Sequence, residues 1–215
     1  MVIINCGKGV VDAMRRTKVL NGVKDIYVII TDSTKEHLFD LKKFFTVLKA
    51  NKIKPKIIES ISLNKKLIKK MGLNDGDDFQ LLEPLKSSCK WVNFLAVPHK
   101  DKSLSCPVEL HLDNKKIFYA GDCGAIPFAI ENYDEYYFDF ADLTDEYHMD
   151  YEKIKKLAKK NNLRKNNIWL VHLNNLRALQ IAEKTGMQVA EEERKKFEKA
   201  TKQTHTPTKN KDNVK

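Results

Sequence analysis

No stretch of this chain is apolar for the roughly 18–20 residues that a bilayer-spanning helix needs. The start, MVIINCGKG, has no basic segment leading into a long apolar run, as a secretory leader would. Those two absences point to a soluble, cytoplasmic protein without a membrane partner. Cysteine is scarce. Cys6, Cys89, Cys106 and Cys123 form no C-x-x-C pair and no zinc-finger spacing, which speaks for reduced thiols and against a disulfide framework. No repeat of useful length is present.

What is present is 215 residues, 42% of them hydrophobic. That suffices for one sizeable α/β domain and is too little for two generous ones. The formal charge of +10 is uneven. Residues 101–150 carry 12 Asp/Glu against 3 Lys/Arg, whereas residues 1–100 carry 10 against 19 and residues 151–215 carry 7 against 17. The basic flanks suit an anionic partner, a small molecule or nucleic acid. The acidic middle suits carboxylates that hold something positive. Solvated surface lysines are an equally open reading.

Hydrophobic patterning predicts strands at Val2–Asn5, Ile26–Thr31, Pro55–Ser60, Trp91–Val97, Pro107–Leu112, Lys115–Ala120, Glu135–Phe140 and Asn167–Leu173. It predicts helices over Val10–Leu20, residues 35–50, Asn64–Met71 and Asp150–Lys160, and one capped by Asn174 and ended by Gly186. Asp113-Asn114 reads as a two-residue hairpin turn. Residues 195–215 are polar and charged and are expected to be a disordered basic tail behind a domain of residues 1–190.

Four ligand-capable groups stand just past apolar strands. Thr31-Asp32-Ser33-Thr34-Lys35-Glu36-His37 lies between a strand end and a helix start, where α/β folds place ligand sites. Ser33-x-x-Glu36 also reads as a capping box, in which both side chains satisfy free backbone N–H groups. Tyr119-Ala120-Gly121-Asp122 ends a strand on a carboxylate, although turns favour Gly and Asp for their own reasons. His172 closes IWLV, where a satisfied core histidine is the plain alternative, and His99 follows Val97-Pro98, where an ordinary loop histidine is.

The order and spacing of these groups resemble the metallo-β-lactamase superfamily, especially its ribonuclease Z-like phosphodiesterases. Ile4-Asn5-Cys6-Gly7 is similar to the family's Ile-Asp-Cys-Gly strand end. Thr31–His37 is similar to Thr-His-x-His-x-Asp-His, and Tyr119–Asp122 to the Tyr-Ser/Thr-Gly-Asp that supplies a bridging aspartate. His99 and Val171-His172-Leu173 fall at later family histidines, and His148 at one that lies near the scissile phosphate. Asp32 and Thr34 depart from the first two histidines, Glu36 from the aspartate, and Asn5 from the first-motif aspartate.

The resemblance implies an α/β (α+β) fold, an αββα sandwich of two mixed β-sheets flanked by helices, lacking the family's first strands. Its first metal position would fall to Asp32, Thr34, His99 and Asp122, a set weakened by threonine. Its second would fall to Glu36, His37, Asp122 and His172, which suits a divalent metal: zinc, or else manganese or iron. The implied activity is metal-dependent hydrolysis of a phosphodiester-type substrate, with the ion lowering the pKa of its water toward about 7. Asp122 would hold the metal and orient that water, and His148 would protonate the leaving group or steady the phosphate. The alternative is a pseudoenzyme that keeps the fold as a nucleotide-binding or protein-interaction module. A first sheet that begins at Val2–Asn5 is expected to expose an edge, and so to favour a homodimer or marginal stability alone.

Overall fold

The computed structural model of the chain describes residues 1–32, 34–58, 60, 65–83, 89–95, 97–98, 104–142, 148–173, 175–191, 194–195 and 197, apart from the side chains of residues 36, 67, 98, 104 and 105. The first half alternates strands and helices: β1 (Val2–Ile4), α1 (Val10–Thr17), β2 (Tyr27–Ile29), α2 (Lys35–Leu38), α3 (Leu41–Ala50), β3 (Lys56–Ile58), α4 (Lys65–Lys70) and β4 (Gln80–Leu82). Helical crossovers permit parallel pairing. The four strands pair in parallel in the order β1-β2-β3-β4.

The second half brings β5 (Val92–Phe94), β6 (Val97–Pro98), β7 (Leu104–Ser105), β8 (Val108–Leu112), β9 (Lys115–Tyr119), β10 (Glu135–Asp139), α5 (Tyr151–Lys160), β11 (Ile168–Val171), α6 (Leu176–Thr185) and β12 (Gln188–Val189). Six strands form a mixed sheet in the order β12-β11-β10-β9-β8-β5. The β5-β8-β9 pairs are antiparallel and the β9-β10-β11-β12 pairs parallel. The β8–β9 turn is Asp113-Asn114, with φ of 49° and 62°. Positive φ at both positions is what a two-residue type I′ hairpin turn demands.

Period-two alternation sorts the side chains into layers. Val28 and Ile57 point toward α1 and α3, joining Val11, Leu41, Phe44 and Leu48. Their neighbours Ile29 and Ile58 face the second sheet and meet Val92, Val108 and Leu110. On the far side, Phe118 and Phe138 pack with Ile154, Leu179 and Ala182 of α5 and α6. The result is helix, sheet, sheet, helix, the expected α/β sandwich. Each wholly buried Phe or Ile contributes about 1.5–3 kcal/mol by leaving water. Cys6, Cys89, Cys106 and Cys123 are all buried and unbridged. Among the described residues no helix is long and apolar enough to cross a membrane.

Several local expectations change. The helix expected over residues 35–50 is two, because Asp40 is recruited elsewhere. Its backbone N–H donates to Cys6 O (2.9 Å), and its carboxylate accepts from Gly9 N (2.9 Å) and Val11 N (3.3 Å). Asp40 thus caps α1 from across the chain. The single strand expected over Trp91–Val97 divides into β5 and β6, which belong to different sheets. The cap of α6 is Asn175, whose Oδ1 accepts from Ala178 N at 2.9 Å. The helix begins one residue later than an Asn174 cap would require, and Asn174 lies outside the described residues. Gly186 does end α6, at φ 73°.

Candidate metal centre

Each site residue stands where an element of the sandwich ends. β2 runs out into Thr31 and Asp32, β9 into Gly121 and Asp122, and β11 into His172. His37 lies in α2, directly after the β2 loop. Asn5 ties the ends of β1 and β2: its Nδ2 donates to Thr31 Oγ1, and its Oδ1 accepts from Thr31 N, both at 2.9 Å. Cys6 N donates to His37 O at 2.7 Å, which seats α2 on the β1 loop. His172 is held at φ 57°, a left-handed conformation uncommon outside glycine that turns its ring out of the strand.

Two groups form around Asp122. In the first, His37 Nδ1 lies 2.5 Å from Asp32 Oδ2 and His37 Nε2 lies 3.1 Å from Asp122 Oδ2. In the second, His172 Nδ1 lies 3.2 Å from Asp139 Oδ1 and 4.0 Å from Asp122 Oδ1, and His148 Nε2 lies 3.4 Å from Asp139 Oδ2. The ligand-capable atoms within each group lie within 4.8 Å of one another. The structure therefore brings together Asp32, His37, Asp122, His148 and His172. The Glu36 side chain and His99 lie outside the described residues. Thr34 is exposed, and its backbone N–H donates to Asp32 Oδ1 at 2.9 Å.

Solved structures share this fold. A metallo-β-lactamase fold protein, YhfI from Bacillus subtilis, superposes with a TM-score of 0.66 at 15% identity, covering 88% of this chain and 83% of that one. The fold is that of the metallo-β-lactamases. A diphosphatase from the PhnP family superposes with a TM-score of 0.61 at 14% identity, covering 88% of this chain and 76% of its own. No family model matches the sequence, and no curated protein matches it either.

Within this metallo-β-lactamase-type frame, sequence reasoning missed Asp139. It ends β10, pairs in register with Val171, and is 2% exposed. A signal was available. In Glu135–Phe140 the aromatic positions 136, 138 and 140 share the core face, which leaves a carboxylate on the other face at the strand end.

The electrostatics separate the two groups. Burial opposes charge on His37, but Asp122 and Asp32 outweigh it and push its pKa up to about 10. Burial likewise opposes charge on Asp32 and Asp122. The hydrogen-bonding His37 outweighs it, holding Asp32 at about 2 and Asp122 below the usual carboxylate range. The first group is thus an ion triad that satisfies itself. Asp139 behaves oppositely: burial pushes its carboxyl up to about 6. The Asp139 carboxylate raises the pKa of His172 above its ordinary value, against burial.

Whether the residues fit a divalent metal turns on Asp139. Both of its oxygens are buried with no hydrogen bond among the described residues, although two imidazole nitrogens stand within 3.4 Å. Those contacts meet the distance but not the geometry of a hydrogen bond. An orphaned buried carboxylate ringed by imidazoles and a second carboxylate is a donor set suited to zinc, manganese or iron. The residues fit a metal.

Proposed function

We propose that the chain is a metal-dependent hydrolase of phosphodiester-type substrates, nucleotide or nucleic acid. The observation that carries the reading is the convergence of Asp122, Asp139, His148 and His172 at one open end of the sandwich, with Asp139 accepting no hydrogen bond among the described residues. When bound, a divalent ion polarises a phosphoryl oxygen and activates water. The rest falls to the chain. Asp122 offers one oxygen to His37 at 3.1 Å and turns the other toward His172 at 4.0 Å, so it stands between both groups. The His172 side chain is 47% exposed and opens the site to substrate, while Asp139 at its back is closed to water. The net charge of +10 draws anions toward the protein. The PhnP-family diphosphatase supports phosphate chemistry on this fold.

A second reading has an observation of its own. The Asp32–His37–Asp122 triad is satisfied without an ion, as a non-catalytic nucleotide-binding or interaction module would have it. One experiment separates the two. The purified chain is assayed for metal content by elemental analysis and for hydrolysis of bis(p-nitrophenyl) phosphate. The hydrolase reading expects activity that chelator abolishes, that zinc or manganese restores, and that Asp122→Asn lacks. Stoichiometric metal without hydrolysis would favour the binding module.

A further inference from the structure

Among the described residues, three clusters compete for an ion or a ligand. The open cavity of about 460 Å³ between Tyr133, Lys160 and Arg164 lies at the opposite end of β10 and β11 from the site, and carries no buried unpartnered group among the described residues. The Asp32–His37–Asp122 triad already pairs both ring nitrogens of His37 with carboxylates. The third cluster is different.

We propose that the metal is held by Asp122, Asp139, His148 and His172, with His37 anchoring Asp122 from outside the coordination shell. The inference rests on the metal-dependent reading above and goes beyond it in naming the ligands. Two of them, Asp139 and His148, stand outside the second-position set that the sequence resemblance implied. His148 becomes a ligand in place of a leaving-group acid.

The geometry argues this in three steps. First, ligands about 2.0–2.1 Å from a tetrahedral zinc stand roughly 3.3–3.4 Å from one another. His172 stands 3.2 Å from Asp139 Oδ1 and His148 stands 3.4 Å from Asp139 Oδ2, one donor atom from each of the four residues lies within 4.8 Å of the others, and the His172–Asp122 separation of 4.0 Å needs only a small inward shift. Second, these imidazole nitrogens stand 3.2 and 3.4 Å from Asp139 oxygens that accept no hydrogen bond among the described residues, so the buried carboxylate keeps its lone pairs for an ion. In the rival triad, by contrast, His37 Nδ1 makes a hydrogen bond of 2.5 Å to Asp32. Third, the four donors sit on supported backbone. Asp139 and His172 end adjacent parallel strands, with Phe140 N bonded to Val171 O at 3.1 Å. His148 is fastened beside them, since Ala141 N donates to Met149 O at 3.2 Å and Lys153 Nζ to His148 O at 3.1 Å. Preorganised donors of this kind give a metal site its affinity.

The test uses the full chain, stripped by chelator, and Zn²⁺ alone as probe, followed by titration calorimetry, with Co²⁺ absorption reporting ligand number and type. The wild type is expected to bind one equivalent. Loss of an outer-sphere partner weakens metal binding by about 10–100-fold. Asp139→Asn and His148→Ala should each exceed that and change the Co²⁺ spectrum, whereas His37→Gln should stay within it and leave the spectrum intact. The reverse pattern would overturn the assignment while leaving a metal-dependent enzyme. An absence of Zn²⁺ binding by the wild type would overturn both. Binding as described without diester hydrolysis would uphold the ligand set and remove the hydrolase reading. Because His148 lies outside the regular elements, His148→Ala keeps the test decisive should Asp139→Asn fail to fold.

Discussion

Replacing Asp139 by Asn should make the metal-free protein more stable and the metal-loaded protein less so. Burial raises the Asp139 pKa from an ordinary 3.8 to about 6 in the folded chain. A group whose folded pKa is raised is best tolerated below its unfolded pKa, and that stability is lost as pH rises through the folded value. The wild type therefore carries the burden of the charge at neutral pH and not in acid. About two units correspond to about 3 kcal/mol, at about 1.4 kcal/mol per unit. The introduced amide itself costs about 1–3 kcal/mol if it goes unpaired, so the net gain at neutral pH is small. The change with pH is the sharper quantity. In chelator, the melting temperature of the variant minus that of the wild type should grow between about pH 4 and 7. For a domain of this size roughly 2–4 °C per kcal/mol applies, which gives roughly 6–12 °C. Zinc at a hundredfold over its dissociation constant then adds about 2.7 kcal/mol to the wild type alone, reversing the order. Thermal melts followed by circular dichroism read both effects. A difference independent of pH would refute the claim that burial of Asp139 outweighs its histidine neighbours. Equal zinc stabilisation of both proteins would refute its role at the metal.

Three other outcomes follow from the packing. Phe118→Ala removes a wholly buried ring from the cluster under α5 and α6 and should cost about 3–5 kcal/mol in a denaturant titration; a cost under about 1 kcal/mol would mean that this layer is misassigned. Asp40→Ala leaves Gly9 N and Val11 N without their acceptor and should cost about 2–3 kcal/mol, with earlier hydrogen exchange in α1 than elsewhere; uniform exchange would refute the capping from across the chain. The edge position of β1 is expected to drive self-association, read as a concentration-dependent mass by light scattering, and a monodisperse monomer with a high melting temperature would contradict it.

Much of the frame was legible from the sequence, because long-range architecture follows from short-range period. Runs such as IYVIIT and NIWLVHL are apolar on both faces, as strands between layers must be, and the polar residues that end them, Asp32 and His172, mark the open end of the sandwich. Asp122 was visible for the same reason, and Asp113-Asn114 announced its own turn through residues that tolerate positive φ. β6, β7 and β12, of two residues each, are too short to show a period and exist only through their partners. The break between α2 and α3 was likewise hidden, since Asp40 is drawn to a loop 31 residues earlier in the chain. Asp139 is the clearest case. Its place on a strand was readable, but its meaning was not. Only the parallel register of β10 with β11 sets it beside His172, and only the closing of the layers over it removes the water that would otherwise solvate its charge.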